Sequence, residues 1–145
     1  MDFSKLKIVL IISILWAIPI HAEDYGSINA TVVRVYDGDT FYADIEGWPD
    51  IVGKEIGIRI NGIDTPEIRT TNAYEKALGY KARHLVVTML EKAESVELRN
   101  MERGKYFRIL ADVYADGESV GAMLIDAGLA RPYFGGTKEG WGAAK

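Results

Sequence analysis

The stretch I-N-A-T-V-V-R-V-Y-D-G-D-T-F-Y-A-D-I, residues 28–45, sets the architecture of this 145-residue chain. Residues 28–36 and the run from Thr40 to Ile45 are rich in β-branched and aromatic side chains, which favour strands. Asp37-Gly38 lies between the two runs, and an Asp-Gly pair in that position is a strong signal for a β-hairpin. We therefore expect the fold to begin with two antiparallel strands joined by a tight turn.

A third strand is predicted from Lys54 to Ile60, after a loop at residues 46–50. Its isoleucines fall at alternate positions and share one face, because successive side chains of a strand point to opposite sides. Arg59 is therefore expected to point away from the apolar face.

Helices follow this third strand. Asn72 with Glu75 three residues later is a capping-box pattern that predicts a helix start. Apolar residues then recur at spacings of three and four as far as Ala93, which indicates one amphipathic helix. Residues 120–127 predict a second, short helix that ends at Gly128, a favourable residue after a helix.

Two further strands are predicted at Ser95 to Leu98 and at Arg108 to Tyr114, the latter followed by a hairpin-type turn at residues 115–117. The order β-β-β-α-β-β-α predicts an α+β, mostly β fold: a five-stranded OB-type Greek-key barrel with two or three helices. Periodicity alone does not distinguish this barrel from another α+β arrangement.

The first 22 residues differ from the rest. Lys5 and Lys7 precede an apolar run over residues 8–20, and Ala22 is a small residue at a plausible cleavage point. This pattern is typical of a secretory signal peptide, and the run is shorter than the roughly 20 residues of a membrane-spanning helix. We predict a cleaved signal peptide at residues 1–22, an exported, unanchored domain at residues 23–145 with a short Gly-rich C-terminal tail, and no stable protein partner. An uncleaved anchor is the alternative.

Cysteine content and charge restrict the function. The chain has no cysteine, so an exported domain must rely on core packing alone. Its formal net charge of −4 becomes −5 when Asp2, Lys5 and Lys7 leave with the leader. Nucleic-acid-binding proteins without enzymatic activity normally have a basic surface. The charge therefore disfavours a general nucleic-acid binder but is compatible with an enzyme that uses a few arginines and a metal.

Carboxylates occur in two separate loops. The hairpin explains Asp37, but not Asp39, which begins the next strand where Asp is disfavoured. Asp64 and Glu67, in D-T-P-E, are three residues apart and are also compatible with a helix cap. Two carboxylates from two loops, with a backbone carbonyl, would form a small open site for a hard cation. The ligand types permit Mg²⁺, but so sparse and irregular an oxygen set fits Ca²⁺ better.

In order, D-G-D-T (residues 37–40), R-I-N-G-I-D-T-P-E (residues 59–67) and K-Y-F-R (residues 105–108) resemble the staphylococcal nuclease (thermonuclease) family. The similarity extends from about Thr31 to Ala130. It implies the SNase-like OB-fold and a calcium-dependent endonuclease that hydrolyses DNA and RNA with little sequence specificity. It also implies cleavage of the bond to the 5′ oxygen, which leaves 3′-phosphate products.

The resemblance implies roles for eight residues: cation binding by Asp39, Asp64 and the Thr65 carbonyl, catalysis by Arg59, Glu67 and Arg108, and contact with a terminal phosphate by Lys105 and Tyr106. In this scheme Glu67 activates or orients the attacking water, one Ca²⁺ is bound, and the two arginines bind the scissile phosphate. Because the guanidinium pKa lies above about 12, we expect an electrostatic role for Arg108 rather than proton donation.

The sequence departs from the family pattern in three places. Phe107 stands where the family usually has Gly, and a positive φ there would strain the Phe and could displace Arg108. Gly104 replaces the usual Asp, and the segment between Thr40 and Arg59 is longer than in the staphylococcal enzyme.

Two alternatives remain at this point. One is an SNase-like nucleic-acid or protein binding module without catalysis, although neither the carboxylates nor the arginines are lost. The other is an OB-type oligosaccharide- or protein-binding domain. That domain would use an aromatic face, and Tyr42, Trp48 and Tyr133 are widely separated in the sequence.

Overall fold

The computed structural model describes residues 26–142, so the predicted signal peptide at residues 1–22 lies outside the described residues. In chain order the elements are β1 (Ile28–Val35), β2 (Thr40–Ile45), α1 (Asp50–Gly53), β3 (Ile56–Ile60), β4 (Ile63–Asp64), α2 (Ala73–Lys92), β5 (Val96–Arg103), β6 (Ile109–Ala115), β7 (Glu118–Ser119), α3 (Val120–Asp126) and β8 (Arg131–Pro132).

Five of these strands form a closed barrel. The strand order is β3-β2-β1-β5-β6, and a parallel pairing of β3 with β6 closes it, with Ile58 opposite Ile109. The other four pairings around the barrel are antiparallel. The predicted five-stranded OB-type barrel with two or three helices is confirmed.

The barrel interior is filled by side chains from alternate positions of the strands. Phe41, Ile58 and Leu98 are completely buried, and Val86 of α2 and Leu124 of α3 complete the packing. The other two β3 isoleucines are also buried, whereas Arg59 is partly exposed. The predicted alternation along β3 is therefore confirmed, and it directs Arg59 away from the core.

The start of α2 differs in detail from a capping box. Asn72 Oδ1 accepts hydrogen bonds from the backbone N–H groups of Tyr74 and Glu75, at 3.0 and 3.2 Å. Thr70 Oγ1, rather than Glu75, accepts from the Asn72 N–H. Glu75 instead accepts a hydrogen bond from the Glu67 N–H at 3.3 Å. The predicted cap is present, and its glutamate is used to hold the preceding loop.

Strand β5 is longer than predicted. It was expected to end at Leu98 but continues to Arg103 through a bulge, with Asn100 in the left-handed region at φ 49°. The sequence did not predict this extension, because R-N-M-E-R at residues 99–103 is mostly polar and does not alternate between apolar and polar side chains. Asn100 Nδ2 donates to Asp112 Oδ2 at 2.7 Å, which holds the bulge against β6.

Two other boundaries were wrong by a few residues. Strand β3 begins at Ile56 instead of Lys54, because Glu55 has a positive φ of 46°. The loop predicted at residues 46–50 ends one residue earlier than expected, because the helical turn α1 begins at Asp50. No helix within residues 26–142 is long and apolar enough to cross a membrane.

Candidate active site

A close contact at Gly38 brings the two carboxylate loops together. A Cβ atom on Gly38 would lie 2.7 Å from Ala82 Cβ and 2.9 Å from Thr65 Oγ1. Real Cβ contacts are longer than this, so only glycine lets the D-G-D-T turn pack against both α2 and the D-T-P-E loop. The same turn therefore positions Asp39 next to the loop that carries Asp64.

Asp39 and Asp64 are buried side by side, with exposed fractions of 3% and 5%. Arg59 Nη1 lies 2.5 Å from Asp39 Oδ1, and Arg59 Nη2 lies 3.9 Å from Asp64 Oδ1. One guanidinium group thus faces both carboxylates. Buried charges require such partners because desolvation is costly.

Negative charge is concentrated around Asp39. Its oxygen accepts from Thr40 Oγ1 at 3.0 Å, and its N–H donates to Asp37 Oδ1 at 3.1 Å. Burial and the neighbouring Asp39 charge raise the pKa of Asp37 to about 6. A cation placed here would relieve this repulsion.

The second carboxylate is paired with a lysine. Asp64 Oδ1 is buried and forms an ion pair with Lys138 Nζ at 2.5 Å. Desolvation lowers the pKa of Lys138, yet the carboxylates of Asp64 and Glu67 outweigh it and raise that pKa above its ordinary value. The Lys138 ammonium group therefore offsets part of the negative charge that a bound cation would neutralise.

The donor set at this point is small and consists of oxygen. Within residues 26–142 no three His, Cys, Asp or Glu side chains cluster closely enough to hold a metal ion. A cation here would therefore rest on Asp39, Asp64 and the buried Thr65, which can offer its backbone carbonyl. Such a set leaves room for water and for a phosphate oxygen, and it fits a hard cation.

Glu67 lies at the open edge of this group. Its side chain is 57% exposed, and Oε1 lies 3.4 Å from the same Lys138 Nζ that contacts Asp64. Its backbone is held by Glu75. Helix α2 begins at Ala73 and is capped by Asn72, so the alternative that Asp64 and Glu67 form its cap is wrong.

Arg108 lies directly before β6, and its side chain reaches the outer face of β3. The stem of Arg108 crosses Gly57, where an added Cβ would lie 2.9 Å from Arg108 Cγ. Gly57 precedes Arg59 by two residues, so both positions share one face of β3. Arg108 Nε donates to the Lys105 carbonyl at 3.4 Å, and its guanidinium lies 5.7 Å from the centre of the Tyr106 ring.

The turn before Arg108 is strained. Tyr106 and Phe107 both have positive φ, at 57° and 61°, and such values are costly for aromatic residues. Phe107 thus has the positive φ under which the sequence analysis expects a Phe to be strained. Its ring turns outward and is covered by the Arg103 guanidinium at 4.1 Å, while Arg108 still lies over Gly57.

The structure places the eight predicted residues in two groups. Asp39, Arg59, Asp64, Thr65 and Glu67 belong to the buried group and its edge. Lys105 and Tyr106 lie on the strained turn, exposed to solvent, and Tyr106 is 88% exposed. Arg108 connects the two groups.

Sequence reasoning missed Lys138 and the role of Glu75. Lys138 belongs to a Gly-rich tail without periodicity, so no local pattern predicts its position. The tail is fixed by a hydrogen bond from the Tyr133 N–H to the Gly62 carbonyl and by another from Asn72 Nδ2 to the Gly142 carbonyl. These contacts bring Lys138 back over Asp64.

Comparison with known proteins identifies the family of this chain. Endonuclease YncB of Bacillus subtilis (strain 168) is 35% identical over 106 residues, which cover 72% of this chain and 47% of that protein. Thermonuclease of Staphylococcus hyicus is 33% identical over 104 residues, which cover 71% of this chain and 58% of that protein. The chain thus spans about half the length of these relatives. The family described as Staphylococcal nuclease homologue matches residues 57–140, more than half of the chain, and the chain belongs to that family.

Proposed function

We propose that this chain is an exported, calcium-dependent nuclease that hydrolyses the phosphodiester bonds of DNA and RNA with little sequence preference. The observation that carries the proposal is the pair of buried carboxylates, Asp39 and Asp64, facing one arginine with the exposed Glu67 beside them. The similar proteins named endonuclease and thermonuclease support it. The signal-peptide pattern in residues 1–22 supports export.

Asp39, Asp64 and the Thr65 carbonyl would hold the cation. When bound, Ca²⁺ would supply positive charge that polarises a phosphoryl oxygen and offsets the charge that develops during attack. The family is metal-dependent, and the two buried carboxylates, Asp39 and Asp64, are oxygen donors of the kind that a hard cation requires.

The side chains around the cation divide the remaining work. Glu67 is exposed and has its backbone anchored, so its carboxylate can take a proton from an attacking water while the metal ligands stay in place. Arg59 and Arg108 can each donate two charge-assisted hydrogen bonds to phosphate oxygens. These contacts accelerate cleavage to the extent that they strengthen as charge builds up. Attack by water breaks the bond between phosphorus and the 5′ oxygen, and the leaving oxygen takes a proton from a second water. The phosphate therefore stays on the 3′ oxygen of the product.

A second candidate is a family member that binds nucleic acid without cleaving it. The strained turn at Tyr106 and Phe107 favours this candidate, because it holds the Arg108 guanidinium through a long hydrogen bond, from Nε to the Lys105 carbonyl at 3.4 Å. The intact carboxylates and arginines favour hydrolysis.

The test is degradation of single-stranded DNA and RNA with Ca²⁺, with EDTA, and by the Glu67→Gln variant. We expect degradation with Ca²⁺, none with EDTA, and a loss in kcat of roughly a hundredfold for Glu67→Gln. Glu91→Gln, at an exposed position on α2, is the matched control and should behave as wild type. Mass spectrometry of the products should find 3′-phosphate ends.

Each other result has a definite meaning. Full activity in EDTA would remove the metal from the mechanism. Wild-type turnover by Glu67→Gln would remove Glu67 as the base. Binding without hydrolysis under every divalent ion would establish the second candidate.

A further inference from the structure

Two arginine and two tyrosine side chains form a row of contacts on the barrel surface next to the proposed site, and we refer to Arg34, Tyr42, Tyr36 and Arg69 as the Arg–Tyr ladder. The Arg34 guanidinium lies 3.7 Å from the centre of the Tyr42 ring. Tyr42 and Tyr36 meet edge to face, with ring centres 6.5 Å apart and planes at 76°. The Arg69 guanidinium lies 5.0 Å from the centre of the Tyr36 ring.

The Arg–Tyr ladder is continuous with the proposed site. A cleft of about 630 Å³ runs between it and α2, and its lining includes Arg34, Tyr36, Glu67, Arg69, Tyr80 and Arg83. Because Glu67 forms part of the wall, a chain that lies in the cleft leads directly to the proposed base. Arg83 donates from Nε and Nη2 to the Val35 carbonyl, at 3.2 and 3.1 Å, so its guanidinium is fixed in the cleft.

The charge of this cleft differs from that of the chain. Three arginines line it against two carboxylates, Asp37 and Glu67, whereas the whole chain has a formal net charge of −4. Within residues 26–142, no carboxylate lies within ion-pair distance of Arg34 or Arg69. Their charges therefore remain available to a polyanion.

Another stacked pair on the barrel differs from the ladder in its charge. Arg99 lies 4.1 Å from the centre of the Tyr114 ring, a similar stack. However, Arg99 also donates to Glu97 Oε2 from Nε at 3.1 Å and from Nη2 at 2.7 Å. That pair is neutralised, lies on β5 and β6, and provides a matched control.

We propose that the Arg–Tyr ladder binds the single-stranded nucleotides that flank the scissile phosphate. Bases stack on aromatic rings and on guanidinium planes, and the arginines contact backbone phosphates. The bases of a duplex are already stacked on one another, so the ladder selects for single strands. This inference rests on the proposed function, since it extends the substrate from the same site.

The test separates stacking from charge. The variant Arg34→Lys/Tyr36→Leu/Arg69→Lys keeps the charge but removes three planar groups. Its binding to a fluorescein-labelled single strand of about 12 nucleotides is measured by anisotropy at low salt in EDTA, where no cleavage occurs. We expect roughly a tenfold loss of affinity. Arg99→Lys/Tyr114→Leu is the control and should bind within about twofold of wild type, because its arginine is already neutralised.

The outcomes separate this inference from the proposed function. Wild-type affinity in the ladder variant, or an equal loss on a blunt duplex, would overturn the ladder. The ladder variant should hydrolyse a small phosphodiester without flanking bases with the kcat of wild type. A tenfold lower kcat on that substrate would also overturn the ladder proposal. If wild type binds single strands through the ladder but cleaves nothing with Ca²⁺, the ladder stands and the nuclease proposal fails.

Discussion

The two arginines of the site are held in opposite ways. Arg59 is 17% exposed and lies between two buried carboxylates, whereas Arg108 rests on one backbone oxygen at 3.4 Å beside an exposed ring. The first arrangement is fixed by buried charge, and the second depends on a turn with two aromatic residues at positive φ. The half of the site around Arg59 is therefore preorganised by buried contacts of the fold, whereas the half around Arg108 lies on the surface and has few contacts.

Removing each arginine tests this division most strongly. Arg59→Ala and Arg108→Ala should each lower kcat at least about tenfold, because each removes donors to the phosphate. Only Arg59→Ala should also destabilise the fold, by about 2–3 kcal/mol, because it removes the ion-pair partner of the buried Asp39 carboxylate. Steady-state kinetics and urea unfolding in EDTA measure the two effects.

Arg99→Ala is the control for both variants and should change neither quantity greatly, since its ion pair is exposed. A variant of Arg59 or Arg108 that keeps wild-type turnover would remove that arginine from the site. Equal destabilisation by both alanine variants would contradict the division into a buried half and a surface half.

A smaller effect is expected where Arg108 crosses β3. Gly57→Ala places a Cβ 2.9 Å from Arg108 Cγ, so the arginine stem must shift. We expect kcat to fall severalfold, with little loss of stability, because the displaced atoms belong to a flexible side chain. Gly121→Ala, whose Cβ would meet Ile60 and Ile63 at an ordinary 3.5 Å, should leave kcat unchanged. Unchanged turnover in Gly57→Ala would mean that the position of Arg108 over β3 is unimportant.

The crowding of carboxylates around Asp39 should make the free energy of unfolding depend on pH. The raised pKa of Asp37, about 6, lies above its unfolded value of about 3.9. Its contribution to stability is therefore complete below about pH 4 and is lost as the pH rises through 6. In EDTA, Asp37→Asn should be more stable than wild type by about 1–2 kcal/mol at pH 7, with no gain at pH 4. A constant difference across this range would exclude the ionisation of Asp37 as the cause.

The smallest effect concerns the strained turn. Phe107→Gly relieves the strain of a Phe at positive φ, but it also removes the contact between the ring and Arg103. We therefore expect the free energy of unfolding to rise by a net value of about 0.5 kcal/mol. Activity should stay unchanged or rise. Phe107→Ala removes the ring and keeps the strain, so it should gain no stability. A sharp loss of activity in Phe107→Gly would show that the Phe side chain has its own role in the site.

The barrel was predictable from sequence because its strands alternate strongly, as in Thr40–Ile45, and because turn residues separate them. The missed parts have local causes. Strand β5 continues through a bulge at Asn100 that depends on Asp112 across the sheet, and Glu55 shortens β3 by adopting a positive φ. Neither feature is encoded by a local pattern of apolar residues.

The candidate site divides in the same way. The carboxylates and arginines stand in short motifs, so their residue types were visible in the sequence. Lys138 was not, because its position depends on a tail that folds back through contacts with Gly62 and Asn72. The sequence predicts that Glu75 accepts a hydrogen bond from the Asn72 N–H, as in a capping box. Thr70 Oγ1 accepts that hydrogen bond instead, and Glu75 accepts one from the Glu67 N–H.

The most direct test of this account is whether Asp39 and Asp64 share one cation. Calorimetric titration of wild type with Ca²⁺ should find one site per chain, and Asp39→Asn and Asp64→Asn should each weaken binding at least about tenfold. Asp126→Asn, at an exposed position on α3, should bind as wild type does. Loss of the site in both variants is the predicted result. Undiminished binding by both, or no Ca²⁺ binding by wild type, would contradict the shared site.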